Sequence, residues 1–214
     1  MEVHIHKDLS FEEVREQILL KLQKKLTQKR YEHSLRVENT ALMLAHIYGA
    51  DTEIVSFAAL LHDNAKNYSD EKKSKLCKRY EVVLSPMEAE NIDLVHSKLG
   101  AVLAYEKYGI RNQDVLNAIA FHTTGRPEMS LTEKIIYVSD FIEPGRKEFP
   151  GLQKARELCF RNLDLGLMKI LMLTINHLLN QGKLVDPITE KTYEHYFELC
   201  KEELEVHHTR ELKH

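Results

Sequence analysis

The sequence predicts an all-α protein built as a single helical bundle, and three observations carry that expectation. Glycine and proline, eight and five among 214 residues, total about 6%, half the usual combined share of roughly 12%, which is too little punctuation for a fold of many short strands. Apolar residues recur at helical spacing along most of the chain, and several of these stretches open on a capping residue followed three positions later by glutamate. No alternation of period two runs for more than a few residues, and there is no internal repeat.

Residues 1 to 8 are polar and read as loose. Ser10 then offers an N-cap, Glu13 completes a capping box, and Leu9 staples against Val14, so a first helix starts here with Val14, Ile18, Leu22 and Leu26 as its apolar stripe. A second helix is expected from about residue 29 to Tyr48, with His33, Val37, Ala41 and Leu44 on one face and Gly49 as its stop. Asp51 or Thr52 caps a third, whose buried stripe of Ile54, Ala58 and Leu61 leads into His62. A charged helix near residues 70 to 82 reads as exposed. Ser85, Pro86 and Glu88 form an N-cap, a first-turn proline and a capping box. A further helix passes through His96, Gly100 and Leu103 and stops at Gly109. Asn112 caps the next, with Val115, Ile119 and His122 on one side, and Ser130 with Glu133 opens an apolar helix carrying Asp140. Gly145 to Gly151 is the clearest loop, followed by a Leu- and Met-rich helix from about 152 to 180 and a last one over roughly 190 to 206. The stripe Leu167, Leu171, Ile175 and Leu178 reads as core or as a homodimer surface.

Composition narrows the function. Hydrophobic residues at 43% and charged residues at 29% exclude a disordered chain. The formal charge of −3, from 30 Lys and Arg against 33 Asp and Glu, supplies no overall field for a nucleic-acid backbone. Three widely spaced cysteines without a Cys-x-x-Cys pair suggest neither a disulfide framework nor a thiolate zinc site, and point to a cytoplasmic protein. No run approaches the ~20 apolar residues of a membrane span, and the N-terminus has no signal core.

The unusual feature is twelve histidines. His4, His6, His207, His208 and His214 lie in polar ends, while His46, His177 and His195 have no ligand partner at useful spacing. His33, His62, His96 and His122 instead fall on the inward faces of four expected helices, and Asp63 and Asp140 sit in similarly apolar surroundings. One such histidine is usually a hydrogen-bonded core residue. Six unpaired polar groups are costly, at roughly 1 to 3 kcal/mol each and more for a carboxylate, and metal binding offsets that cost. Imidazoles and carboxylates without thiolate suit iron, manganese or zinc, and one shared carboxylate makes a dinuclear centre.

The order H, HD, H, H, D resembles the HD-domain superfamily of metal-dependent phosphohydrolases. The stretches RYEHSLRV (30 to 37), LLHDNAK (60 to 66), VHSKLGA (95 to 101), FHTTGRPEMSLTEKIIYVSDFIEPGR (121 to 146) and FPGL (149 to 152) are similar to the bacterial YqeK-type family, known as symmetrical diadenosine tetraphosphate hydrolases. The similarity covers roughly residues 28 to 185, and HTTGRP with the later D-x-I-E-P-x-R run is its specific part. One departure is Ser97, where glycine is expected after the third histidine.

The resemblance implies residues 1–27 as an N-terminal extension with one amphipathic helix, 28–206 as an HD-domain phosphohydrolase and 207–214 as a polar tail. It implies that His33, His62, Asp63 and Asp140 bind one divalent or trivalent ion, iron first and manganese or zinc as alternatives, and that Asp63, His96 and His122 bind a second, with Asp63 bridging. Water activated there would split a dinucleoside polyphosphate. Adjacent residues diverge by ~100° on a helix, so His62 and Asp63 reach one ion only near a helix end, which Asn64 and the polar residues after it suggest. Lys66 resembles the lysine of the family's H-D-x-x-K motif and is a catalytic and phosphate-binding candidate. His122, Thr123, Thr124, Gly125, Arg126 and Arg146 are further substrate-binding candidates. Glu143 has two readings, orienting a base or ribose or pairing with Arg146. Two rivals remain: a phosphohydrolase of mononucleotides, and a non-catalytic HD module that senses a nucleotide, which would have no need of six ligands.

Overall fold

The computed structural model describes residues 9–211, and they contain helices and no strand. The readings made for residues 1 to 8, for His4 and His6 among them, and for His214 lie outside the described residues. The described chain separates into two compact units, one running as far as Thr123 and resuming over Ser130–Arg146, the other comprising Thr124–Met129 and the chain from Lys147 onward.

The first unit holds α1 (Phe11–Lys25), α2 (Gln28–Tyr48), α3 (Thr52–Leu61), α4 (Asp70–Arg79), α5 (Pro86–Glu90), a 3-10 turn (Ile92–Val95), α6 (His96–Tyr108), α7 (Gln113–Phe121) and α8 (Leu131–Ile142). Local chemistry sets most of these boundaries. Ser10, Ser85 and Ser130 each close a capping box with a glutamate three residues on, while Asp51 and Asn112 each accept two backbone N–H groups at the starts of α3 and α7. Gly49 and Gly109 end α2 and α6 in the left-handed conformation.

Helices α2, α3, α7 and α8 pack on one another, α6 lies against α7, and Val37, Ala58, Ile119 and Ile135 are fully buried among them. Helix α1 is built into this unit, since Ile18 and Leu22 are fully buried and Arg15 grips Glu38 through two hydrogen bonds of 2.7 Å. Ser56 on α3 also donates to Glu38, at 2.6 Å, so a single buried carboxylate ties α1, α2 and α3 together. The segment expected as a charged exposed helix over 70 to 82 is shorter and amphipathic. Its Leu76 and Cys77 join Ala65, Val95, Leu99 and Leu103 in a satellite core, and Lys73 is only 2% exposed. Gly100 lets the end of α3 approach α6, because a Cβ there would stand 3.3 Å from Ile119 Cγ2 and 3.4 Å from the His62 carbonyl oxygen.

The second unit holds α9 (Leu152–Arg161), α10 (Leu163–Asn180) and α11 (Pro187–Glu211). The expected continuous helix over 152 to 180 is therefore two, because Asn162 adopts extended backbone and accepts the N–H groups of Asp164 and Leu165 to start α10. The last helix is longer than the 190 to 206 expected for it, running into the segment read as a polar tail. Gly166 permits the contact of α9 with α10, where a Cβ would meet Cys159 Cα at 2.7 Å. In the stripe singled out on this helix, Leu167 and Leu171 are fully buried, while Ile175 and Leu178 are half-buried. Met129 N–H donates to the hydroxyl of buried Tyr196 on α11, at 3.1 Å. No helix among the described residues is long and apolar enough to cross a membrane.

Candidate metal centre

Six side chains meet inside the first unit, and most of them come from helix ends. His33 lies within α2 and Asp140 near the end of α8, whereas His62 and Asp63 follow the last turn of α3, His96 opens α6 and His122 caps α7. Termination of α3 at Leu61 resolves the divergence expected of residues 62 and 63, since His62 Nε2 lies 3.3 Å from Asp63 Oδ2.

Helix ends also aim the rings. His62 Nδ1 contacts the carbonyl of Ala59 at 2.6 Å, His122 Nδ1 that of Ile119 at 2.8 Å, and His96 Nδ1 that of Asp93 at 2.7 Å. In each case the acceptor lies three residues back, and for His62 and His122 it is one of the carbonyls that a helix terminus leaves without an amide partner. A carbonyl only accepts, so each Nδ1 carries a proton and each neutral ring presents an Nε2 lone pair inward. His33 follows the same logic with a carboxylate, its Nδ1 meeting Glu143 Oε1 at 3.2 Å.

The two oxygens of Asp63 look in different directions. Oδ2 lies 3.8 Å from His33 Nε2 as well as 3.3 Å from His62 Nε2, while Oδ1 lies 3.5 Å from His96 Nε2 and 3.8 Å from His122 Nε2. Asp140 Oδ1 stands 3.1 Å from His33 Nε2. Among the described residues, three ligand groupings have the compactness a cation requires: His33, His62 and Asp63; Asp63, His96 and His122; and His62, His122 and Asp140. The second has the members of one half implied by the family resemblance; the first has three members of the other half without Asp140, which groups instead with His62 and His122.

Burial and neighbouring charge set the protonation of the cluster. His122 is pushed down to about 3, chiefly by burial and then by His62 and His96, and burial also lowers His96. For His62, burial is outweighed by the adjacent Asp63, which raises its pKa, so a proton and a cation compete for its Nε2. Burial works against ionised Asp63 too, but the imidazoles of His62, His122 and His96 hold it well below the usual carboxylate range. Among the described residues, the buried Nε2 atoms of His33 and His62 find no hydrogen-bond partner. A set of inward lone pairs, two of them orphaned, with N and O donors and no thiolate, fits a transition-metal cation.

Around these six lies a second ring. Glu143 is 3% exposed and accepts from Arg36 Nε and from the Gly145 N–H, both at 2.6 Å, besides meeting His33. It therefore orients a histidine of the cluster, in the way carboxylates hold metal-ligating imidazoles. Arg146 reaches the carbonyl oxygen of Asp140 and, at 3.2 Å, its Oδ1. Lys66 Nζ lies 2.9 Å from Asp93 Oδ2 and 3.5 Å from His96 Nδ1. Thr123 donates to Ser97 Oγ at 3.3 Å, so the departure at Ser97 creates a hydroxyl pair beside two histidines of the cluster. Thr124, Gly125 and Arg126 belong to the second unit.

Three charged residues escaped the sequence reading. Arg30 forms an ion pair with Asp63 Oδ2, Arg36 holds Glu143, and Asp93 holds Lys66. Arg30 and Arg36 lie one turn to either side of His33, a spacing that could have exposed them. Asp93 carries no comparable local signal.

An all-α unit organised around this H, HD, H, H, D cluster is that of an HD domain, and the family model described as HD domain matches residues 30–145, so the chain belongs to the HD domain family. A symmetrical bis(5'-nucleosyl)-tetraphosphatase of Halalkalibacterium halodurans is 40% identical over 168 residues, covering 78% of this chain and 89% of that protein. One of Bacillus subtilis is 37% identical over 179 residues, covering 84% and 95%. Within the HD domain proteins the chain falls in the family of these tetraphosphatases, the YqeK type. A crystal structure from Clostridium acetobutylicum, described as a predicted HD superfamily hydrolase involved in NAD metabolism, superposes with a TM-score of 0.81 at 39% identity, covering 89% of this chain and 98% of that one.

Proposed function

We propose that the protein hydrolyses diadenosine tetraphosphate symmetrically to two ADP, at a dinuclear centre for which iron is the first choice and manganese or zinc the alternatives. The observation that carries the metal part is the division of Asp63, one oxygen toward His33 and His62 and the other toward His96 and His122. The substrate part rests on the names of the relatives at 40% and 37% identity.

His33, His62, Asp63 and Asp140 would hold one cation, and Asp63, His96 and His122 the other. The chemistry such a pair supplies when bound is activation of water for attack on phosphorus and neutralisation of phosphoryl oxygens. The chain's own residues do the rest. The outward Nδ1 contacts fix the tautomer of the four imidazoles and aim each Nε2 inward. Arg30 and Arg146 set guanidinium groups against Asp63 and Asp140, and Lys66 sets its ammonium beside His96. They bring positive charge to the rim of the centre, where a chain of phosphates needs cations. Substrate binding is proposed for Thr123, Thr124, Gly125 and Arg126 on the similarity of the HTTGRP run alone.

The description of the Clostridium structure favours a second reading, a hydrolase acting on a nucleotide of NAD metabolism. Chromatography of products from the metal-loaded protein, offered diadenosine tetraphosphate, NAD and a set of mononucleotides, distinguishes them. Two ADP from the tetraphosphate as the preferred reaction is the expected result. Formation of AMP with ATP would sink the symmetrical assignment, and preferred cleavage of NAD or a mononucleotide would replace the substrate.

A further inference from the structure

We infer that Asp93, braced by Lys73, is a positioning residue that holds the Lys66 ammonium at the rim of the metal centre; the inference rests on the phosphate-binding reading of Lys66. Asp93 sits in the 3-10 turn immediately before α6 and uses three of its oxygens at once. Oδ2 takes Lys66 Nζ at 2.9 Å, Oδ1 takes Lys73 Nζ at 2.5 Å, and the backbone carbonyl takes His96 Nδ1 at 2.7 Å.

Lys73 explains why the carboxylate is where it is. Its residue is 2% exposed, and a buried ammonium requires a close carboxylate. Besides Asp93 it has Asp70 at 3.3 Å. Asp93 is shared between Lys73 and Lys66, so its contact to Lys66 fixes the position of that ammonium with only part of the carboxylate's charge set against it. Because His96 Nδ1 carries a proton, Lys66 cannot donate to it, and two of the three ammonium donors are left to face a ligand. A free lysine side chain samples many rotamers, and anchoring it beforehand removes part of the ordering cost of binding phosphate. The same residue therefore sets a phosphate-binding cation and the direction of an inward-facing imidazole, one through its side chain and the other through its backbone.

That division makes the role testable. Asp93→Asn keeps the carbonyl that holds His96 and removes the charge that holds Lys66. In the metal-loaded protein it is expected to weaken ADP binding, read by calorimetry, and raise KM about tenfold, with metal content by elemental analysis unchanged. On a Lys66→Met background the same substitution is expected to add nothing. An equal loss in both backgrounds would show that Asp93 acts on general structure and would overturn the proposal, as would unchanged ADP affinity in Asp93→Asn alone. Wild-type affinity in Lys66→Met would instead overturn the phosphate-binding reading beneath it. Since Asp93→Asn leaves the Lys73 ammonium buried, the cycle is repeated with Lys73→Met, which removes that charge, and the melting temperature of every variant is recorded.

Discussion

His62 Nε2 and Asp63 Oδ2 stand 3.3 Å apart, a contact that neighbouring residues within a continuous helix do not make. It forms because α3 ends at Leu61, with His62 donating Nδ1–H back to the Ala59 carbonyl and Asn64 donating to Leu61 O at 2.8 Å and to Gly100 O at 2.9 Å. The end of one helix thus delivers an imidazole and a two-faced carboxylate to the same place, and the local backbone is satisfied in the process.

Asp63 is the residue whose loss should affect both cations. Asn is nearly isosteric, keeps one oxygen and removes the negative charge that adjacent cations need between them. The purified protein is expected to hold close to two metal ions, Asp63→Asn to lose most of both together with turnover, and Asp140→Asn or His33→Ala to deplete chiefly one. The helical far-UV signal should persist, since Val37, Ala58, Ile119 and Ile135 are buried independently of any ion. Elemental analysis and circular dichroism on the same preparations check this; an Asp63→Asn protein with two metals and wild-type turnover would refute the centre.

Glu143 should matter through His33. Glu143→Ala frees the His33 ring and strands the Arg36 guanidinium, which now bonds it at 2.6 Å. Loss of a partner of this kind commonly costs 10–100-fold in metal affinity, and a chelator-competition titration should show a drop of about that size confined to one of the two ions.

Lys25 supplies a pH dependence separate from the centre. Burial, with Lys107 and Lys72 nearby, pushes its ammonium from 10.5 down to about 7, while its Nζ lies 4.6 Å from the Tyr68 ring. Below pH 7 the charged form is carried into the fold at a cost. Between about 7 and 10.5 the unfolded chain binds more protons than the folded one, so this group makes stability rise with pH across that window. Lys25→Met should therefore raise the melting temperature most near pH 6, and the difference from the native protein should shrink by pH 9.5. A gap independent of pH would count against the assignment.

Gly166 should be intolerant of a methyl group. A Cβ there would come within 2.7 Å of Cys159 N and Cα, which are backbone atoms that cannot rotate away. Overpacking of this kind costs about 1–3 kcal/mol, so Gly166→Ala is expected to lower the melting temperature by several degrees. Metal content should stay at the native level, because none of the six proposed ligands lies in the second unit.

The sequence by itself determined where most helices begin and end and which six side chains form the cluster. A cap at Ser10, Asp51, Asn112 or Ser130 is satisfied by backbone two or three residues away, and a left-handed stop at Gly49 or Gly109 needs no distant partner. The histidines were legible for a related reason, since each lies on or directly beyond an apolar stripe whose period fixes which way it faces. The tertiary structure alone decided the support of that cluster. Arg30 reaches Asp63 across 33 residues, Arg36 reaches Glu143 across 107, and Lys66 reaches Asp93 across 27. A charged side chain on its own segment looks like a solvated surface group; the carboxylate that makes it functional arrives only when helices distant in sequence pack together, which for Arg30 and Arg36 also buries the carboxylate partner.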